Sequence, residues 1–293
     1  MCLPFLGRVC TSSAKYQDNL FDDNAIPPTV VSVLGDENKR THGAVEAYIY
    51  GCFTKRYYQL KRALDYCQNA RPDDFDVRTF INSFWLEAGK KRSLDKVYEI
   101  VVYSLFSTLV EALDLKVEIS VDKNAFPLLE EFEDFSKKVM CLDTLSTKQV
   151  HSAKVYRVGV TNAADRGLDM YSNWGPAIQV KHLSLDVDLA KDIVSEISSD
   201  KVIIVCKDAE KDVIVSLLTQ IGWKKNIQSV VTENDLVSWY DKALRGIYSY
   251  KLANKLLATL AEEISLEFPS VHALPDILLD RHYEQMRDDY WKM

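Results

Sequence analysis

Long apolar runs are absent. No segment of the chain approaches the ~20 consecutive apolar residues that a membrane-spanning helix needs, so no transmembrane anchor is expected. The opening stretch MCLPFLGRVCTSSAK has no charged leader followed by a long apolar core, and no signal peptide is expected either. Glycine and proline are scarce, 10 and 8 among 293 residues, which excludes collagen-like and low-complexity architectures. The cysteines Cys2, Cys10, Cys52, Cys67, Cys141 and Cys206 include no Cys-x-x-Cys pair and no Cys/His group at zinc spacing. They read as reduced thiols of a cytoplasmic protein. An excess of positive charge is also missing. The formal net charge is −7, so no global field draws in a polyanion, and any nucleic-acid contact must come from local basic patches.

What is present is an ordinary globular balance, 47% hydrophobic and 27% charged. The length suits one large domain or two small ones with a sizeable core. Residues 1–40, with Pro27-Pro28 and the Gly35-Asp36-Glu37-Asn38 cluster, read as an irregular arm. Helices are predicted over 42–70 and 77–88. The strongest helical signal runs from Ser93, a possible cap, to Leu113, with Leu94, Val97, Val101, Leu105 and Leu109 at three- and four-residue steps. A strand over 116–121 and a charged helix over 128–139 follow. From residue 153 the texture turns to alternation. Strands are predicted over 153–160, 168–172, 177–182, 202–206 and 227–231. Helices are expected over 187–197, 209–221 and 249–266, and Thr232 with Asp235 resembles a capping box. Strands alternating with helices imply an α/β architecture with some parallel pairing.

The stretch that carries chemistry is Asp165-Arg166-Gly167-Leu168-Asp169, followed ten residues on by Gln179-Val180-Lys181-His182. On a strand, Gln179 and Lys181 face the same way, ~7 Å apart. If the strand ending in Ser172 pairs with the next through the Asn173-Trp174-Gly175-Pro176 turn, Asp169 lies one strand over, at ~4.8 Å spacing. A carboxylate, an amide oxygen and an ammonium then converge on one edge of the sheet. That set suits metal-dependent phosphodiester hydrolysis. A hard cation such as Mg²⁺ takes oxygen ligands, Asp169 and the Gln179 carbonyl among them. Lys181 is placed to orient a water and offset developing negative charge.

Gly167-Leu168-Asp169 with Gln179-x-Lys181 resembles the PD-(D/E)xK nuclease signature in its Gln-x-Lys form. The sequence departs from the strict pattern in having no proline before Asp169 and no acid at 179. The longer run from Ala164 to Met170 and from Gly175 to Leu183, with Ile203–Ala209 and Ile221-Gly222-Trp223, is similar to the HaeII family of type II restriction endonucleases. The similarity covers roughly residues 150–245. The resemblance implies a PD-(D/E)xK nuclease-like mixed sheet flanked by helices, with a mainly helical N-terminal region. The implied divisions are a helical N-terminal region 1–92 as a DNA-contacting arm, a catalytic core 93–250, and a helical extension 251–293. It also implies Mg²⁺-dependent, site-specific double-strand cleavage of DNA by a homodimer, with a companion DNA methyltransferase in the same system. Such cores place a glutamate on their first helix. Glu99 is the candidate and Glu111 the rival.

Cations for DNA contact cluster at Lys55, Arg56, Lys61 and Arg62, and again at Lys90, Lys91 and Arg92. These can neutralise phosphates or simply form a solvated helix face. Arg166 is either a phosphate contact or one half of a surface ion pair with Asp165. Lys181 can equally serve as an edge-strand lysine that blocks aggregation, and His182, pointing to the opposite face, reads as structural. Two other functions remain open on the sequence: an Mrr-like nuclease acting on modified DNA or in repair, and a non-catalytic DNA-binding protein on a nuclease fold.

Overall fold

The computed structural model describes residues 28–85, 91–158, 168–184, 199–208 and 227–267. The chain divides into two compact units, one of residues 1–59 and 270–293, the other of residues 60–269. Among the described residues no helix is long and apolar enough to cross a membrane.

In the first unit, helix α1 (Pro28–Arg40) precedes α2 (Ala44–Asn69), which runs on past the unit boundary. The segment read as an irregular arm is therefore helical from Pro28. Proline at the first helical position costs nothing, because its missing N–H would be unsatisfied there anyway, so Pro28 opens a helix instead of breaking one. The Gly35-to-Asn38 cluster is absorbed into α1, whose last turn is tied by Arg40 Nε donating to Glu37 at 2.9 Å. His42 and Gly43 adopt left-handed backbone (φ 55° and 106°). The Gly43 N–H closes onto the Asn38 carbonyl at 2.7 Å, which terminates the helix.

The second unit is organised around α4 (Lys91–Ala112), which follows α3 (Val77–Trp85). Val97, Tyr98, Ile100, Val101, Val102 and Leu105 of α4 are fully buried. A helix apolar around most of its circumference belongs in the interior, and α4 accordingly packs against both the sheet and a C-terminal helix. Ser93 lies inside α4 rather than at its cap. An excursion then leaves the core. Strand β1 (Lys116–Ser120) pairs antiparallel with β2 (Lys148–Ser152) in a separate two-stranded sheet. The helix expected over 128–139 is broken into α5 (Phe126–Glu131), a single turn Glu133–Phe135 and a wide turn Ser136–Met140. Phe132 leaves helical geometry at φ −108°, ψ 32°, and Cys141 turns left-handed, which ends the run.

The main sheet has five strands in the order β3 (Val155–Arg157), β4 (Met170–Ser172), β5 (Ala177–Ser184), β6 (Val202–Asp208) and β7 (Ile227–Thr232). β3, β4 and β5 are antiparallel to their neighbours, while β5, β6 and β7 run parallel. The strand expected over 153–160 is shorter than its alternation suggests. β2 ends at Ser152, Ala153 and Lys154 connect, and β3 covers only Val155–Arg157. β6 is a continuous apolar run because a central parallel strand is covered on both faces. α6 (Glu233–Arg245) opens on the expected capping box. Asp235 Oδ2 accepts from the Thr232 N–H at 2.9 Å, and the Thr232 hydroxyl accepts from the Asp235 N–H at 3.3 Å. α7 (Ser249–Glu267) completes the unit. The helices expected over 187–197 and 209–221 lie outside the described residues. The fold class is mixed α/β, a helical N-terminal region followed by a mixed sheet flanked by helices, consistent with a nuclease-like fold.

Candidate active site

The site forms where β4 and β5 part company. Their ladder runs from Tyr171↔Ala177 to Met170↔Ile178 and stops there. Asp169, just before β4, keeps its main chain on β3, with its carbonyl accepting from Val158 N–H at 2.9 Å. Its side chain reaches the other way. Oδ2 accepts from the Val180 N–H at 2.8 Å and from the Gln179 amide Nε2 at 2.6 Å. The carboxylate thus takes the place of the main-chain partner that β4 would have offered to β5.

Gln179 is 2% exposed, and its other amide atom, Oε1, is buried and accepts no hydrogen bond from the described residues. Leaving such an oxygen unsatisfied costs about 1–3 kcal/mol, so it is a candidate acceptor for a water or a ligand. Lys181, two residues further along β5, shares the face of Gln179 and is half-buried. Its ammonium is among the charges that lower the Asp169 carboxyl. His182 points to the opposite face. Its ring packs edge-on against Tyr98 at 4.8 Å, and Nε2 lies 3.7 Å from Glu233.

Glu99 enters the site from α4. It is 5% exposed, and both its oxygens accept from Lys96 Nζ, at 2.9 and 2.8 Å. Burial, and next the charge of Asp169, push the Glu99 carboxyl up to about 7, against the pull of Lys96 and Arg157. Burial also raises the Asp169 carboxyl, opposed by the Val180 N–H, Lys181 and Lys96, while Asp95 pushes it further up. Two carboxylates in a buried site oppose each other's ionisation, and Lys96, Lys181 and Arg157 are the charges that offset them.

The structure therefore gathers Asp169, Gln179, Lys181 and Glu99 into one electrostatic neighbourhood. It leaves the rival out. Glu111 is three turns further along α4, ~18 Å at 1.5 Å per residue, and pairs with Lys255. Three participants escaped the sequence reading. Asp95 and Lys96 sit four and three residues before Glu99 on the same helix, a spacing legible once Glu99 is chosen. Arg157 had no such signal. Only the strand register, which sets it across from Met170, brings it near.

The cationic candidates are placed less fully. Lys61 and Arg62 are exposed on α2. Lys55 and Arg56 lie within α2, and Lys91 and Arg92 open α4, but their side chains lie outside the described residues, as Lys90 and Arg166 do entirely.

Among the described residues no group of three His, Cys, Asp or Glu side chains is arranged to hold a metal ion. The donor set nonetheless fits a hard divalent cation in part. Asp169 and Glu99 supply charged oxygens, and the unsatisfied Gln179 Oε1 supplies a neutral one. Ions of the Mg²⁺ type bind through one or two carboxylates and complete their shell with water and substrate phosphate.

A mixed sheet whose antiparallel strands part around a carboxylate, with an amide, a lysine and a helix glutamate beside it, defines a nuclease-like α/β protein. The comparisons with known proteins specify the class further. The HaeII restriction endonuclease family model matches residues 1–283. Over 288 residues the chain is 53% identical to the type II restriction enzyme HaeII of Haemophilus aegyptius, covering 98% of this chain and 81% of that protein. Over 278 residues it is 54% identical to the type II restriction enzyme NgoBI of Neisseria gonorrhoeae, covering 95% and 79%. No solved structure matches it. The chain belongs to the HaeII restriction endonuclease family. Its activity is that class's, site-specific restriction endonuclease action, and the non-catalytic and Mrr-like alternatives fall away.

Proposed function

We propose that this endonuclease makes double-strand breaks in DNA by Mg²⁺-dependent hydrolysis at a site built from Asp169, Gln179, Lys181 and Glu99. The observation that carries the assignment is the buried, unsatisfied Gln179 Oε1 beside the doubly bonded Asp169 carboxylate. Asp169, Gln179 and Glu99 would hold the ion, and Glu99 must give up Lys96 to do so. A bound ion would supply polarisation of the scissile phosphate and acidification of a water. Asp169 is held in place by β5, so its position does not depend on the ion. Lys181 orients the attacking water and balances charge that develops on the phosphate oxygens. Lys96, which holds both Glu99 oxygens, would then be free to serve as a second cation.

The catalytic core is assigned to residues 93–250 and the DNA-contacting arm to residues 1–92, with Lys55, Arg56, Lys61, Arg62, Lys90, Lys91, Arg92 and Arg166 as candidate phosphate contacts. Residues 251–293 form a C-terminal extension. A two-fold homodimer matches a palindromic target, because protein symmetry then mirrors that of the DNA. A DNA methyltransferase of the same specificity protects host DNA, and both act in the cytoplasm. Plasmid digestion tests the reading. Discrete bands should form with Mg²⁺, vanish with EDTA and return with added Mg²⁺. Bands that persist in EDTA would refute the metal site.

A further inference from the structure

The excursion between α4 and β3 has a feature that cleavage does not explain. It is an ordered structure with its apolar side chains on the outside. Leu129 and Leu142 are buried. The Glu133 carboxylate accepts from the Thr144 hydroxyl at 2.8 Å and pairs with Lys137 at 3.1 Å. The Val121 N–H donates to the Thr147 carbonyl at 3.0 Å, closing the neck. Yet Phe126, Leu128, Phe132, Phe135, Val139 and Leu145 are 39%, 60%, 49%, 49%, 64% and 97% exposed. So many large apolar side chains on one short ordered segment mark an interaction surface.

The charges decide what the surface takes. Between Lys116 and Lys148 there are five lysines, no arginine and seven carboxylates. Such a face does not attract a polyanion. With both signs present, two copies of the arm can set opposite charges against each other across a two-fold axis. The area is also of the right order. At roughly half of the ~150–250 Å² that an aromatic side chain buries, the three phenylalanines supply ~300 Å². The aliphatic side chains around them bring the face toward the ~800 Å² per partner of a standard interface. In addition, among the described residues β1 and β2 have no strand partner but each other, so two strand edges are open for an antiparallel extension across a two-fold axis.

We propose that residues 113–150 form the homodimerisation arm, packing face to face with the same arm of a second copy. The inference rests on the homodimer reading above and adds the surface that makes it. Full-length protein without DNA is examined by sedimentation equilibrium, comparing the wild type with Phe132→Glu/Phe135→Glu and, separately, Leu145→Lys. Leu145 is almost wholly exposed, so its replacement cannot unfold the arm, and far-UV circular dichroism checks the double variant. The expected result is a dimeric wild type, with dimer dissociation weakened at least about tenfold in the double variant and measurably in Leu145→Lys. A monomeric wild type would overturn both this proposal and the homodimer reading. A wild type and variants that are equally dimeric would overturn the arm alone. Variants that stay dimeric but lose DNA affinity in a parallel gel-shift assay would make the arm a DNA-contacting face and overturn it as well.

Discussion

Gln179 donates its side-chain amide to Asp169 Oδ2 at 2.6 Å, and that contact, beside the Val180 N–H on the same oxygen, ties the two halves of the site together across the point where β4 and β5 diverge. It fixes which end of the Gln179 amide faces the carboxylate and leaves the oxygen end turned away and unsatisfied. On the proposed function, that oxygen is the neutral donor a cation would meet.

Asp169→Asn keeps the side chain's shape and removes its charge. Cleavage in single-turnover assays should fall by at least about a thousandfold, while specific DNA binding in a gel-shift assay with Ca²⁺ stays within a few fold. Unchanged cleavage would show that the ion is held elsewhere.

Lys181→Ala leaves the metal donors intact and removes the ammonium beside them. The chemical step should slow by about 10²–10⁴-fold with little change in the Mg²⁺ concentration needed. A variant with a normal single-turnover rate but a higher KM for DNA would make Lys181 a binding residue only.

The raised Glu99 carboxyl gives a pH signature with a definite sign. Its folded value of about 7 lies above the ordinary 4.5. The folded state therefore binds more protons between those values, and the stability this group contributes is full below pH 4.5 and declines as pH rises through 7. Glu99→Gln, which cannot ionise, should flatten that decline and be about 1–2 kcal/mol more stable relative to wild type at pH 8 than at pH 5, part of the gain offset by the lost Lys96 partner. Urea unfolding at the two pH values measures it. In the same window the Mg²⁺ needed for half-maximal cleavage by the wild type should rise as pH falls from 8 to 6, because a proton competes for the ligand.

Arg157 is clamped between Glu263 and Glu267 of α7, at 3.0 and 2.7 Å, with side chains only 10%, 17% and 3% exposed. Arg157→Ala strands one buried and one half-buried carboxylate and should cost about 2–4 kcal/mol in denaturant unfolding. A loss below about 1 kcal/mol would mean that water reaches the cluster.

Much of this was legible in the sequence because the signals are local. The three- and four-residue apolar steps of α4, the capping box at Thr232 and the turn at Gly175 each depend on residues a few positions apart, so α4, the start of α6 and the β4–β5 hairpin could be read directly. Asp169, Gln179 and Lys181 were singled out for the same reason, since the hairpin that unites them is closed within a dozen residues. The failures are equally physical. β2 has little pattern of its own and exists through its partner β1, thirty residues earlier. The 128–139 segment has helical composition, but its apolar residues do not find a core to face, and the helix fragments.

The sequence by itself determined the α/β class and the family and pointed to the carboxylate–amide–lysine trio proposed as the site, because these rest on short-range spacing and on identity along the chain. Only the tertiary structure decided that Glu99 rather than Glu111 stands beside Asp169, that Lys96 and Arg157 share its field, and that the arm turns its phenylalanines outward. Those facts depend on how distant segments pack and on which groups lose their water, and burial is a property of the folded whole that no local pattern contains.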